Sequence, residues 1–242
     1  MRKFRMLFFA LVLLFVRGTA SASCQGIGFL ILRSSAVKEK VYTPFEALSC
    51  LKEGVLSHGL VDYNPLTANQ PRDLQDLTKR LSELELRTPR GVVIFAYSET
   101  GKFAAKLASL NPHVKGLFLM DPMDGTPPFS PAKRFPVFLD ENFPQLNIPT
   151  TVLESEFGSK SKRLGYSCVT KEMGPEHFYN FIHPASLNRV LMPGLGHADF
   201  LKREGITLVD LMCGGGVVPR DEAFARVVDQ WSQFVSTMEQ QL

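Results

Sequence analysis

The segment Gly91-Val92-Val93-Ile94-Phe95-Ala96 constrains the fold more than any other part of the chain. A half-exposed strand would alternate apolar with polar residues. This unbroken β-branched and aromatic run instead fits a strand buried on both faces of a parallel sheet. Such a sheet needs helices on both sides, because crossovers join its strands. The rest of the sequence supplies them. Ile27 to Leu32, Leu60 to Tyr63, Gly116 to Met120, Thr150 to Glu154 and Arg189 to Met192 read as further strands. Pro44 to Ser57 repeats Phe45, Leu48, Leu51, Val55 and Leu56 at helical spacing, and Arg72 to Leu86 does so with Leu74, Leu77, Leu81 and Leu84. Helices are also expected from about Glu99 to Leu110 and from Asp221 to about Glu239. The inner face of the last is Phe224, Val227, Val228, Trp231 and Val235. Pro122 to Asn147 and Phe157 to Leu187 read as irregular excursions over the strand ends. Ligands bind beyond the carboxyl ends of the strands in open α/β sheets, so these two segments would wall a site.

The first 22 residues stand apart. Arg2, Lys3 and Arg5 precede an apolar run from Met6 to Val16, and Ala20-Ser21-Ala22 closes it with a small-x-small pattern. That is the layout of a secretory signal peptide. The run is shorter than the ~20 residues of a spanning helix. A single domain over residues 23–242 is expected behind it. The leader holds Arg2, Lys3, Arg5, Arg17 and no acid, so its removal takes 27 basic residues to 23 against 24 acidic ones. The net charge of +3 therefore belongs to the leader, and no basic footprint for nucleic acid is left. Cys24, Cys50, Cys168 and Cys213 remain. Behind a signal peptide they could form disulfides, or they could be four buried thiols. Their spacing does not suggest zinc, and no cofactor is expected.

Three residues carry candidate chemistry. Ser98 lies between the strongest strand and a helix, in Ala96-Tyr97-Ser98-Glu99-Thr100-Gly101. A serine on such a turn can expose its hydroxyl as a nucleophile, with the next N–H, that of Glu99, aimed at an oxyanion. It would equally serve as a helix N-cap. The usual elbow has glycine two places either side of the serine. Here Ala96 and Thr100 occupy those places, and β-branched Thr100 is the larger departure. Asp121 ends the next strand, in Leu119-Met120-Asp121-Pro122, where it could be an acid or a turn starter. His197 lies on the loop Pro193-Gly194-Leu195-Gly196-His197 after the last strand. The order Ser, Asp, His at three strand ends suits a triad in which His197 takes the Ser98 proton and Asp121 holds the imidazole.

Asp121-Pro122-Met123-Asp124-Gly125 resembles the Asp-Pro-Val-Asp-Gly segment of plant and algal chlorophyllases, which are α/β-hydrolases. Gly196-His197-Ala198-Asp199-Phe200-Leu201 resembles their Gly-His-x-Asp-x-Leu. Ile148 to Leu153 and Glu176 to Asn180 fall in matching order, and the similarity runs from about Gly26 to the end. The resemblance implies a mostly parallel α/β-hydrolase-like sheet with helices on both faces. It implies cleavage of the phytyl ester of chlorophyll by Ser98, Asp121 and His197, with Asp124 as the competing acid. It also implies a Cys168–Cys213 pairing. The family's elbow is Gly-His-Ser-Arg-Gly-Gly, of which this chain keeps only Ser98 and Gly101. The family's His-Gly pair after the first matching strand is replaced by Arg33-Ser34-Ser35, which puts the second oxyanion donor in doubt. The family carries more chain before that strand, so this sheet would lack its N-terminal edge strands, and the open edge invites a membrane or membrane-protein contact.

Two functions are therefore expected to compete. One is hydrolysis of a large apolar ester, with Pro127, Pro128, Phe129, Phe135, Pro136, Phe138 and Phe143 as an apolar mouth. The same residues could simply pack beneath a long loop. The other is a non-catalytic relative that binds pigment or lipid, or accompanies a membrane protein. The leader implies a secreted or lumenal address, and the resemblance implies a plastid reached through the secretory pathway.

Overall fold

A computed structural model of the chain describes residues 26–32, 60–63, 70–125, 137–159, 168–201, 213 and 215–242. The expected leader, the Pro44 to Ser57 helix, Arg33-Ser34-Ser35, Cys24, Cys50 and the stretch from Pro127 to Pro136 lie outside the described residues. Six strands form one parallel sheet: β1 (Ile27–Leu32), β2 (Leu60–Tyr63), β3 (Gly91–Tyr97), β4 (Val114–Met120), β5 (Thr150–Ser155) and β6 (Leu187–Met192). Their spatial order is β2-β1-β3-β4-β5-β6. The order reverses between β1 and β3. In open α/β sheets ligands bind beyond the carboxyl ends of the strands at such a reversal. Among the described residues no strand precedes β1, and β2 forms one edge of the sheet.

The helices are α1 (Gln70–Glu85), α2 (Gly101–Leu110), a short α3 (Pro175–Tyr179) and α4 (Arg220–Gln241). Side chains alternate across a strand, so β3 feeds two cores at once. Val92, Ile94 and Ala96 pack with Leu77, Leu81 and Leu84 of α1 and with Phe103 and Leu107 of α2. Val93, Phe95 and Tyr97 pack on the other face with Trp231, Phe234 and Met238 of α4. Trp231 is fully buried, with its ring centroid 5.0 Å from those of both Phe95 and Phe118 in edge-on geometry. Each such pair adds about 0.5–1.5 kcal/mol beyond simple burial. The face of α4 differs from expectation: Ala223, Phe234 and Met238 are buried, while Phe224 and Val228 sit at its margin.

Further boundaries depart from the sequence reading, and β4 begins at Val114 rather than Gly116. β6 begins at Leu187, not Arg189, and exposes Asn188 and Arg189. As an outer strand it needs no continuous apolar run. The helix expected from Glu99 begins at Gly101, after a 3₁₀ turn over Ser98–Thr100. The second excursion is not wholly irregular, because Pro175 opens α3 and Phe178 anchors it in the core. Cys168 and Cys213 form a disulfide, as the resemblance implied.

Candidate active site

Ser98, Asp121 and His197 come together at the carboxyl ends of β3 and β4 and on the loop after β6. His197 Nε2 lies 3.1 Å from Ser98 Oγ, and its Nδ1 lies 3.0 Å from Asp121 Oδ2. All three are buried, with Ser98 retaining 8% exposure and Asp121 none. Asp121 also accepts the Ser155 N–H at 2.7 Å on Oδ1 and the Ser155 hydroxyl on Oδ2. These donors orient the carboxylate and leave it as an acceptor toward the imidazole. A carboxylate on Nδ1–H selects the tautomer whose Nε2 is free to accept a proton.

The backbone concentrates its strain here. Among the described residues, the only non-glycine positions with positive φ are Ser98 at 59° and Asp121 at 40°. Such conformations cost of order 1–3 kcal/mol each and persist where the surroundings over-determine them. Those surroundings are visible. The Ser98 carbonyl accepts the Met123 N–H at 2.9 Å, and the Asp121 N–H donates to the Leu153 carbonyl at 2.8 Å. Gly101 keeps the elbow close to the Asp121 loop: a Cβ there would lie 2.5 Å from the Pro122 Cβ.

Thr100, the departure that threatened the elbow, is accommodated by its hydroxyl. Oγ1 accepts the Tyr97 N–H at 3.1 Å and lies 3.0 Å from the Leu32 carbonyl and 2.8 Å from the Tyr97 carbonyl. Its single proton serves one of those carbonyls at a time. The side chain thus ties the elbow to the end of β1. Glu99 follows Ser98 on the turn with its side chain 2% exposed. Asp199 holds the histidine loop: its Oδ2 accepts the Gly196 N–H at 2.8 Å and the Gly216 N–H at 2.5 Å.

Asp124 does not reach His197. Its carboxylate accepts the Phe138 and Leu139 N–H groups at 2.8 and 2.7 Å and meets His177 Nε2 at 3.3 Å. It anchors the returning end of the first excursion. The hydrogen bond that His177 donates to Asp124 raises the His177 pKa above its ordinary value, against the effect of burial. Lys102, fully buried nearby, is pushed down to about 8 by burial despite Asp124 and Glu99. Phe138 and Phe143 do not line an apolar mouth. They pack edge-on against Phe103 and Phe181, with ring centroids 5.3 and 5.7 Å apart, because the excursion folds back onto the α2 face of the sheet.

Ser155 and Tyr97 gave no signal as site residues in the sequence. A buried tyrosine whose hydroxyl needs a partner is the one clue that was available. A cavity of about 480 Å³ lies at the other end of the sheet, between the starts of β5 and β6 and the end of α4, and includes none of the three residues. No metal-binding cluster occurs among the described residues, and no described helix is long and apolar enough to cross a membrane.

No protein-family model and no curated protein matches the chain. Solved structures do. A ferulic acid esterase from Streptomyces cinnamoneus is 16% identical with a TM-score of 0.50, the match covering 90% of this chain and 68% of that one. A soluble variant of monoglyceride lipase from Saccharomyces cerevisiae is 13% identical with a TM-score of 0.50, over 89% of each chain. At these identities the likeness speaks to architecture, and with the strand order above it gives this chain an α/β-hydrolase-like fold.

Proposed function

We propose that this chain is a serine hydrolase of carboxylic esters. One observation carries the reading: the only two strained non-glycine residues described, Ser98 and Asp121, are both joined to His197 by hydrogen-bond distances. Ser98 Oγ attacks the ester carbonyl carbon while His197 Nε2 takes its proton. The imidazolium is stabilised by Asp121 and then protonates the leaving alkoxide, releasing the alcohol. Water, deprotonated by the same nitrogen, hydrolyses the acyl-serine. The Glu99 N–H is the proposed oxyanion donor. The chemistry needs no cofactor.

The proposed substrate is a large apolar ester, and the chlorophyllase-like motifs around Asp121 and His197 favour the phytyl ester of chlorophyll. The proposed route is the secretory pathway, by the leader of residues 1–22. The test offers residues 23–242 chlorophyll and a short p-nitrophenyl ester, with Ser98→Ala alongside. Chlorophyllide release lost in the variant supports both levels. Cleavage of the short ester alone keeps the hydrolase and removes chlorophyll. A folded protein that turns over neither is a binding relative of the fold.

A further inference from the structure

The residue preceding the candidate nucleophile is fully buried, although its phenol is polar. Tyr97 ends β3, and its side chain turns toward the α4 face, beneath the loop that carries His197. Its ring stacks on the His197 imidazole, with centroids 4.8 Å apart and planes 24° from parallel. Its hydroxyl donates to the His197 carbonyl at 2.9 Å. The same residue therefore holds both the ring and the backbone of the histidine. Phe200, at the end of the 3₁₀ turn His197–Phe200, also packs against Tyr97, with ring centroids 6.3 Å apart.

We propose that Tyr97 is the positioning residue of the base: it sets the imidazole plane and the height of the His197 loop, so that Nδ1 meets Asp121 while Nε2 meets Ser98. This rests on the hydrolase reading above. An imidazole has two torsions to settle. Asp121 restrains one nitrogen, but a single hydrogen bond leaves the ring free to tilt about it. A flat ring stacked against the imidazole removes that tilt. The hydroxyl bond prevents the loop from lifting, which would lengthen the distance from Nε2 to Ser98 Oγ. Tyr97 is covalently next to Ser98, and its own N–H is held by Thr100 Oγ1 at 3.1 Å. Nucleophile and base are thus registered on one rigid strand end rather than on two independent loops. Misplacement by about 1 Å costs on the order of a hundredfold in rate, so such registration has large leverage.

The test compares Tyr97→Phe, which keeps the stacked ring and removes the hydroxyl, with Tyr97→Leu, which removes both. Two readouts are taken. The first is the downfield proton resonance of the His197 Nδ1–H shared with Asp121, which does not depend on turnover. The second is kcat and KM for a short ester. Tyr97→Phe is expected to keep the resonance but broaden it, and to lower kcat about three- to tenfold with KM within about twofold, as suits one hydrogen bond. Tyr97→Leu is expected to abolish the resonance and lower kcat about a hundredfold. A resonance of wild-type position and width in both variants, or in Tyr97→Phe if Tyr97→Leu does not fold, overturns the inference. So does a wild-type kcat. If the wild-type protein shows the resonance without turnover, the hydrolase reading fails and the resonance in the variants alone decides the role of Tyr97.

Discussion

Replacing each candidate acid by its amide separates the two aspartates that the sequence could not. Asn at position 121 keeps one oxygen, which can still accept the Ser155 N–H now 2.7 Å from Oδ1. The NH2 then occupies the place of Oδ2, which faces His197 Nδ1 at 3.0 Å. A donor there demands an acceptor, so the imidazole takes the opposite tautomer. Its proton moves to Nε2, and the nitrogen facing Ser98 Oγ at 3.1 Å can no longer accept the hydroxyl proton. In other triads this substitution lowers kcat by ~10⁴ while leaving the geometry intact, which is about 5.4 kcal/mol of barrier. Asn at position 124 meets different partners. It loses one of two acceptors for the Phe138 and Leu139 N–H groups, and nothing there touches His197. The expected cost is about 1–3 kcal/mol of stability, with kcat within about threefold. The assay is kcat on a p-nitrophenyl ester for both variants, with urea unfolding followed by Trp231, the chain's one tryptophan. A larger loss of kcat in Asp124→Asn than in Asp121→Asn would refute the assignment.

Four further outcomes are expected. Gly101→Ala drives a Cβ to 2.5 Å from the Pro122 Cβ and should cost about 1–3 kcal/mol, seen as a lower urea midpoint. Thr100→Val removes the hydroxyl that meets Tyr97 and Leu32 and should cost about 1–3 kcal/mol, with Thr100→Ser near wild type; equal losses in both would show that the hydroxyl is not what matters. Cys168→Ala together with Cys213→Ala opens a disulfide spanning 45 residues and should cost about 2–4 kcal/mol, read by the same unfolding. His177 has a raised pKa, chiefly from its hydrogen bond to Asp124. A raised folded-state value means the pair stabilises fully below the unfolded pKa, and the contribution is lost as pH rises through the folded one. The Tm gap between wild type and His177→Gln should therefore narrow as pH rises past the ordinary histidine value of about 6.5, and a constant gap would remove the pair from the stability balance.

Much of the architecture was legible in one dimension. A continuous β-branched and aromatic run such as Val92 to Ala96 suits neither a half-exposed strand nor water, and between turn residues it marks a buried strand of a parallel sheet. Helical spacing of Leu77, Leu81 and Leu84 places α1 on the sheet for the same reason. Edge strand β6 was read two residues short, because a strand with one open side tolerates Asn188 and Arg189 and loses its apolar signature. The order Ser, Asp, His was readable because this arrangement puts each residue at a strand end, and strand ends are visible in sequence.

What the fold alone decided is which partner each polar side chain meets. Asp121 and Asp124 are three residues apart and chemically alike. Only the Ser155 amide from β5 and the Phe138 and Leu139 amides from the excursion send one toward His197 and the other away. Thr100 looked like an obstruction because its β-branch was visible and its acceptor at Leu32, 68 residues earlier, was not. Phe138 and Phe143 could have lined a mouth or filled a core, and a chain that folds back onto α2 buries Phe143 and packs Phe138 against the core. Local sequence sets period and propensity, which act over a few residues. Hydrogen-bond direction and ring contact are settled between segments a hundred residues apart, as Tyr97 and His197 are, and only the folded chain brings them within reach.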